Sequence, residues 1–395
     1  MLRGIYRIEG TIVYLLSLIA FIGVIDTSFL ISIISPYALA LGASASQAGL
    51  IAGLYSIVAI PASVLAGLMM DRIGRWRLLR LGLTLDFISM ALYYFAFDPY
   101  SLMVTRVIHA IGGSMLFPSG ISLVAKYSSR DKVAPGVSIF LIFIAVSVAA
   151  GSVTSATVVS LFGFKQVFIL LGAIIGLGAL LSLIIPTTLD IGEVSRRSIN
   201  LSLMRFYGDN VVASVAMIFI LYLSFGFIVG GYPVVVRDVL GLSERVVSGL
   251  VGMFIGVSTI VSIPMMYITG HLLSRGYVKA LSVIGLTALF MSLASLLNPS
   301  EGGFFISALL LGPALAILMV TSTFLAVAVN DELRGVTTGL QQTFNILGIA
   351  IGAPLSGVLS GLLGSSLMVV PMAAIIPTGI LILNKIWGLD IQMEV

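Results

Sequence analysis

The 395-residue chain contains no cysteine, only two histidines and little charge, with Asp, Glu, Lys and Arg together making up 9% of it. The missing cysteine excludes disulfides, thiolate metal sites and cysteine nucleophiles. His109 and His271 are too few for an all-histidine metal centre, and neither a metal nor a cofactor is expected. No ATP-binding loop is present. Strings such as GAIIGLGAL lie inside apolar runs and read as helix-packing glycines. The scarcity of charge excludes most: a soluble chain carries about 25% charged residues, and a surface this apolar cannot be wetted. The net charge of +4 is therefore no nucleic-acid signature, because excess Lys and Arg in a membrane protein set orientation.

What the chain has is apolar residues, 59% of the total, with a mean hydropathy of +1.18. Its surroundings are expected to be a lipid bilayer. A spanning helix needs roughly 20 mostly apolar residues. Runs of that kind lie near 11–35, 46–70, 78–97, 100–125, 134–160 and 166–187, then near 210–236, 246–270, 279–297, 303–328, 335–362 and 366–386. The expected fold is all-α: twelve transmembrane helices in two six-helix bundles, residues 1–187 and 210–395, joined by a cytoplasmic linker at 188–209. The basic N-terminal stretch MLRGIYRIEG leads into an apolar run too long for a signal-peptide core, so it reads as a retained first span. With an even number of spans, both termini share a side. That side receives sixteen Lys and Arg residues, the other only Lys165, Arg237 and Arg245. This asymmetry places both termini in the cytoplasm and the protein in the cytoplasmic membrane.

Charge is concentrated in GLMMDRIGRWR, residues 67–77, at the cytoplasmic join of the second and third runs. A weaker copy follows 203 positions later: PASVLAGLMMDR begins at Pro61 and PMMYITGHLLSR at Pro264. Both read P-x5-G-x3-[DS]-R. The second keeps Gly270 and Arg275 but has Ser274 in place of Asp71. Together with the six-plus-six split, this points to a duplicated bundle.

These residues resemble the major facilitator superfamily of secondary transporters, whose join between helices 2 and 3 reads roughly G-x-x-x-D-R-x-G-R-[RK]. Gly67, Asp71, Arg72, Gly74 and Arg75 match it, followed by Trp76 and Arg77. LMVTRVIHAIGGS is similar to the family's L-x-x-x-R-x-x-Q-G pattern, keeping Leu102 and Arg106 with His109 and Ala110 at the last two places. FGFKQVF, 162–168, resembles its G-W-R-x-x-F hinge. The G-x-x-x-G-x-P signature of the family's antiporters is not recognisable in the fifth run, which counts against antiport. A similar string, Gly348, Gly352, Ala353, Pro354 and Gly357, stands in the eleventh. The resemblance implies a conformational latch in which Asp71 faces the positive N-terminal end of the eleventh helix, near Gly335, Val336 and Thr337. Gly67 and Gly74 are expected to allow close approach and a sharp turn. The acid that the family often sets at the end of helix 4 is replaced by Lys126, with Asp131 further on.

Ionisable groups inside spans point to function, and four occur, all in the first half: Asp26, Asp86, Arg106 and His109. A rise of about 1.5 Å per residue puts Asp26 roughly 22 Å and His109 roughly 24 Å from the cytoplasmic ends of their runs. Asp86 comes out roughly 12 Å deep. Arg106 and His109, three apart, share a helix face. Asp26, Arg106 and His109 are the expected proton-coupling cluster, with Asp26 as principal carrier and Arg106 as its modulator or as an anion-binding group. For Asp86 an interhelical hydrogen bond is preferred to a proton relay. The second half offers uncharged polar groups, Tyr222, Ser224, Thr321, Ser322, Gln341, Gln342 and Asn345, as candidates for a substrate cavity.

The resulting expectation is a proton-coupled secondary transporter of a small organic solute, monomeric and working by alternating access. Export in exchange for protons is preferred. The alternative is proton symport importing an organic anion, sugar or similar metabolite. A membrane enzyme would need a nucleophile with its base, a metal cluster or an acid pair, and the roughly 10 Å depth difference between Asp26 and Asp86 argues against a pair. A receptor that kept the fold without transport is the third reading, and the largely intact latch motif speaks against it.

Overall fold

The computed structural model describes residues 2–127, 133–183, 208–273, 275–328 and 334–387, which are helical nearly throughout and contain no strand. The helices are α1 (Leu2–Ala40), α2 (Ala45–Ile73), α3 (Arg75–Phe95), α4 (Pro99–Tyr127), α5 (Val133–Phe162), α6 (Phe164–Leu183) and α7 (Gly208–Gly230). There follow the short α8 (Tyr232–Leu240), then α9 (Glu244–Leu273), α10 (Val278–Ser295), α11 (Glu301–Val327), α12 (Arg334–Leu363) and α13 (Val369–Trp387). Within the described residues, each expected run falls on one helix except the seventh, which is interrupted at Gly231 and continues as α8, and the twelfth, which starts in the 3-10 turn Gly364–Met368 ahead of α13. Among the described residues, ten segments are long and apolar enough to cross a membrane. One of them, Thr337–Ile386 at 50 residues, contains both α12 and α13, and α5 adds the shorter apolar stretch Val146–Phe162. The linker expected at 188–209 lies outside the described residues up to position 207.

The chain forms two compact units: residues 1–43, 54–195 and 244–253, and residues 44–53, 196–243 and 254–395. In the first, α1 packs on α4, α5 and α6, while α3 packs on α4 and α6. In the second, α7 packs on α11, α12 and α13, while α10 packs on α11 and α13. Counting α7 and α8 as one span, these are the same five pairs moved on by six spans, as a duplicated bundle requires. Side chains repeat the relation. The Tyr37 hydroxyl donates to the carbonyls of Tyr93 (3.0 Å) and Ala96 at the end of α3, and the Tyr232 hydroxyl to that of Leu296 (2.7 Å) at the end of α10. Each hydroxyl thereby bonds carbonyls at a helix end, where intrahelical donors run out.

Apolar surface drives little association between helices already in lipid, so small and polar residues hold them together. Ser32 on α1 bonds Ser155 on α5 at 2.6 Å. Ser214 on α7 donates to the Ser322 carbonyl on α11 at 2.7 Å. Ser292 on α10 meets Ser307 on α11 at 2.9 Å.

Helix starts follow local chemistry. Ser44 and Gln47 form a reciprocal capping box at α2, the pattern that satisfies two orphan amides at once. FDPYS supplies the same device to α4: Ser101 N–H donates to Asp98 Oδ1 (2.7 Å), and Asp98 N–H to Ser101 Oγ (3.1 Å), with Pro99 as the first helical residue. The Ser101 amide holds the Asp98 carboxyl below its ordinary range. The stabilisation from this cap is therefore present above the ordinary carboxylate range and lost as pH falls through the lowered value.

The charged motif divides in the structure. Gly74 joins α2 to α3 with φ 90° and ψ 155°, a region open essentially only to glycine. Gly74→Ala is expected to cost about 1–3 kcal/mol, read as a lower melting temperature in detergent. Among the described residues, a Cβ on Gly67 would meet nothing within 4 Å. Arg75 Nε donates to Ser122 Oγ of α4 at 2.6 Å, and Arg72 is exposed. The side chains of Asp71, Lys126 and Val336, and Asp131 as a whole, lie outside the described residues, while Thr337 Oγ1 donates to the Ala326 carbonyl at 2.5 Å. Gly163, at φ 95°, turns the chain between α5 and α6 within FGFKQVF.

Candidate functional site

The first unit buries a connected polar cluster among α1, α2, α3 and α4. Asp26, Asp86 and His109 are fully buried and Arg106 is 3% exposed. On α4, Arg106, His109 and the pair Gly112–Gly113 follow one another at helical spacing, so cation, imidazole and two notches line one stripe. A Cβ on Gly112 would collide with Asp86 Oδ1, and one on Gly113 with the Tyr55 hydroxyl. The glycines thus make the room that Asp86 of α3 and Tyr55 of α2 occupy.

Hydrogen bonds run in a fixed direction through the cluster. Arg106 can only donate, and its Nη1 lies 3.4 Å from the Tyr93 hydroxyl and 3.4 Å from His109 Nδ1. Tyr93 accepts from Arg106 and passes its own hydrogen to His109 Nδ1 at 3.2 Å. With Nδ1 accepting, the ring hydrogen sits on Nε2, which donates to Asp26 Oδ2 at 3.0 Å. The network therefore assigns a neutral His109 between a cation and a carboxylate. The other oxygen of Asp26 receives the Thr27 N–H and the Thr27 hydroxyl. The Tyr55 hydroxyl also bonds the Thr27 side chain. Arg106 Cζ stands 5.0 Å from the centre of the Tyr55 ring, within cation–π range. The Tyr55 ring also lies 5.0 Å from the His109 ring.

Asp26, Arg106 and His109 are thus brought together. Asp86 departs from expectation twice. Its ligand atom, that of Asp26 and that of His109 all lie within 4.8 Å of one another, so the roughly 10 Å depth difference computed from the run starts does not hold. Membrane helices are tilted and their first residues need not lie at the membrane edge, so distance counted along an axis is not height in the bilayer. The preferred interhelical hydrogen bond is absent as well: neither oxygen of Asp86 has a hydrogen-bond partner.

Two carboxylates and an imidazole at this spacing have the composition of a divalent-metal site. Against one stands the positive charge of Arg106, whose Nη1 lies 3.4 Å from His109 Nδ1 and would repel a bound cation.

Tyr93, Tyr55 and Thr27 were not singled out from sequence. Tyr93 stands seven residues after Asp86, two turns along the same face of α3, and that spacing is the one signal that could have found it.

In the second unit, Asn345 of α12 hydrogen-bonds the Tyr222 hydroxyl of α7. Gln341 Nε2 donates to Ser322 Oγ and Thr323 Oγ1, each at 2.9 Å. Thr321 Oγ1 is buried without a hydrogen-bond partner. Ser224 returns its hydrogen to the Ile220 carbonyl of its own helix, and Gln342 is exposed. The unit thus presents uncharged amides and hydroxyls on α7, α11 and α12.

A duplicated helical bundle with buried ionisable groups in one half defines a polytopic membrane protein of the transporter type. The description Major Facilitator Superfamily matches residues 16–353. The chain belongs to that family and is a secondary transporter, not an enzyme. It is 24% identical over 359 residues to the uncharacterized MFS-type transporter YbcL of Bacillus subtilis (strain 168), covering 88% of each chain. Among solved structures it is similar to the nucleoside transporter NupG, with TM-score 0.74, 15% identity and coverage of 95% and 98%. It is also similar to a bacterial homolog of the human lysosomal transporter Spinster in an inward-facing, unoccupied conformation, with TM-score 0.70, 16% identity and 95% of each chain covered. A third likeness is to a POT family transporter in complex with 5-aminolevulinic acid, with TM-score 0.75, 14% identity and coverage of 94% and 95%. At these identities the structural likenesses establish the fold.

Proposed function

We propose that the protein moves a small organic solute by alternating access in a proton-coupled cycle, with the proton exchanged in the cluster of Asp26, Arg106 and His109. The observation that carries this reading is the directed chain Arg106–Tyr93–His109–Asp26. It joins a cation to a carboxylate through two groups able to pass a proton, at a depth where ionisable side chains are costly. Moving Arg106 relative to Asp26 during the cycle would change the affinity of the cluster for a proton. Uncharged donors and acceptors around Tyr222, Gln341 and Asn345 fit a substrate-selecting surface in the other half. Export in exchange for protons is the preferred direction. Arg106, whose buried Nε has no hydrogen-bond partner, favours an organic anion should the transporter import. Asp71, facing the start of α12 when the cytoplasmic side is closed, is the proposed latch. The Lys and Arg asymmetry supports cytoplasmic termini and a place in the cytoplasmic membrane.

The test is flux in proteoliposomes under an imposed proton gradient, with a panel of organic anions, amphipathic cations and sugars. Asp26→Asn is expected to abolish gradient-driven accumulation while leaving exchange of substrate between the two sides measurable. Unchanged pH dependence in that variant removes Asp26 from the mechanism.

A further inference from the structure

Asp26 and Asp86 lie side by side but in opposite settings. Asp26 receives three donors, the Thr27 amide, the Thr27 hydroxyl and His109 Nε2–H, and these hold it as a carboxylate. Asp86 receives none, although it is fully buried and sits in the notch that Gly112 leaves in α4. The groups facing it are Asp26 from α1, Tyr55 from α2, His109 and Arg106 from α4, and Tyr93 from its own helix. From α6 comes Phe168, stacked on Tyr93 with ring centres 5.2 Å apart. Arg106 is the one cation of this set, and it is already linked through Tyr93 and His109 to Asp26. A second ionised carboxylate would have neither a donor nor an unshared cation, whereas a carboxylic acid needs neither.

We propose that Asp86, rather than Asp26, is the seat of the coupling proton: a neutral carboxylic acid whose loss of H+ puts a second negative charge beside Asp26. This rests on the proton-coupled reading above and moves its proton carrier from Asp26 to Asp86. The balance is simple. With a proton on Asp86, the guanidinium of Arg106 and the carboxylate of Asp26 cancel and the cluster is neutral. When the O–H bond of Asp86 breaks and the proton leaves to water, the cluster carries one net negative charge. That charge repels Asp26, and relief comes from reprotonation or from parting α1 from α3. Asp86 thereby couples proton release to helix movement, with Asp26, His109, Tyr93 and Arg106 as the fixed reference against which it acts.

Infrared spectroscopy of the full-length protein in lipid nanodiscs at neutral pH reads this directly, because a protonated carboxyl has a carbonyl band that a carboxylate lacks and that shifts in D2O. The expected result is a band in the wild type that is lost in Asp86→Asn. A band kept in Asp86→Asn overturns the assignment, as does a wild type with no such band. Should Asp86→Asn not fold, Gly112→Ala serves instead: its Cβ presses on Asp86 Oδ1, so a band belonging to Asp86 shifts. A band that Gly112→Ala leaves unmoved overturns the assignment. No substrate or gradient enters the measurement. A missing band therefore rejects the role of Asp86 and leaves transport standing, while absent proton-driven flux with an intact band rejects the coupling and leaves the protonated Asp86.

Discussion

Arg106→Met is expected to destabilise the protein by about 3–5 kcal/mol, the cost of leaving a buried charge without its partner. Arg106 is the cation of the cluster, 3% exposed, and the hydrogen-bond chain it starts ends on the carboxylate of Asp26. Methionine keeps much of the volume and loses both the charge and the contact with the Tyr55 ring. Tyr93 then has no donor behind it, and Asp26 is a buried carboxylate bonded only to neutral groups. The cluster can escape part of the penalty by taking up a second proton, which pulls the loss toward the lower end of that range. The double variant Arg106→Met/Asp26→Asn removes both charges and is expected to recover most of the lost stability. A double-mutant cycle by thermal unfolding in detergent checks this. If single and double variants are equally destabilised, Arg106 acts through packing and not through charge. Gradient-driven flux is expected to be lost in both, because neither retains the charge pair against which a proton would be exchanged.

The sequence showed the bundle well and the inside of the site only in part, for physical reasons. Lipid demands roughly 20 apolar residues per span, so the runs were legible, and so were the turns at Gly74 and FDPYS, where conformation or capping leaves few residue choices. Asp26, Arg106 and His109 announced themselves because charge in an apolar run is rare. Asp86 was just as visible, but its nearness to Asp26 was not, because a count along helix axes takes no account of tilt. Tyr93, Tyr55, Gly112 and Gly113 complete the cluster through shape, and none is unusual in a membrane helix by itself. Their roles exist only once α2, α3 and α4 are side by side. The break at Gly231 was hidden for a related reason, since apolar residues continue on both sides of it.

Gly348→Leu is expected to cost about 3 kcal/mol, at the upper end of ordinary overpacking, because α7 and α12 touch backbone to backbone. Each helix carries glycines four apart, Gly226 and Gly230 on α7, Gly348 and Gly352 on α12, the small-x-x-x-small spacing that lets membrane helices approach closely. A Cβ on Gly348 would stand 2.7 Å from the amide nitrogen of Leu223 and 2.9 Å from the Phe219 carbonyl oxygen. One on Gly226 would stand 2.9 Å from the amide nitrogen of Ala353. These neighbours are backbone and cannot rotate away, so the helices themselves must separate. Gly361→Leu, on the same helix where a Cβ meets nothing within 4 Å, is expected to change stability by less than about 0.5 kcal/mol. The comparison separates close packing from glycine's conformational freedom, since both positions are helical. It also reaches function. Tyr222 lies one turn before Gly226 and Asn345 three residues before Gly348, so the contact that joins the helices also brings that pair together. Substrate affinity in Gly348→Leu should therefore fall along with melting temperature and remain at the wild-type value in Gly361→Leu. Wild-type affinity in a destabilised Gly348→Leu protein would take Tyr222 and Asn345 out of the selecting surface.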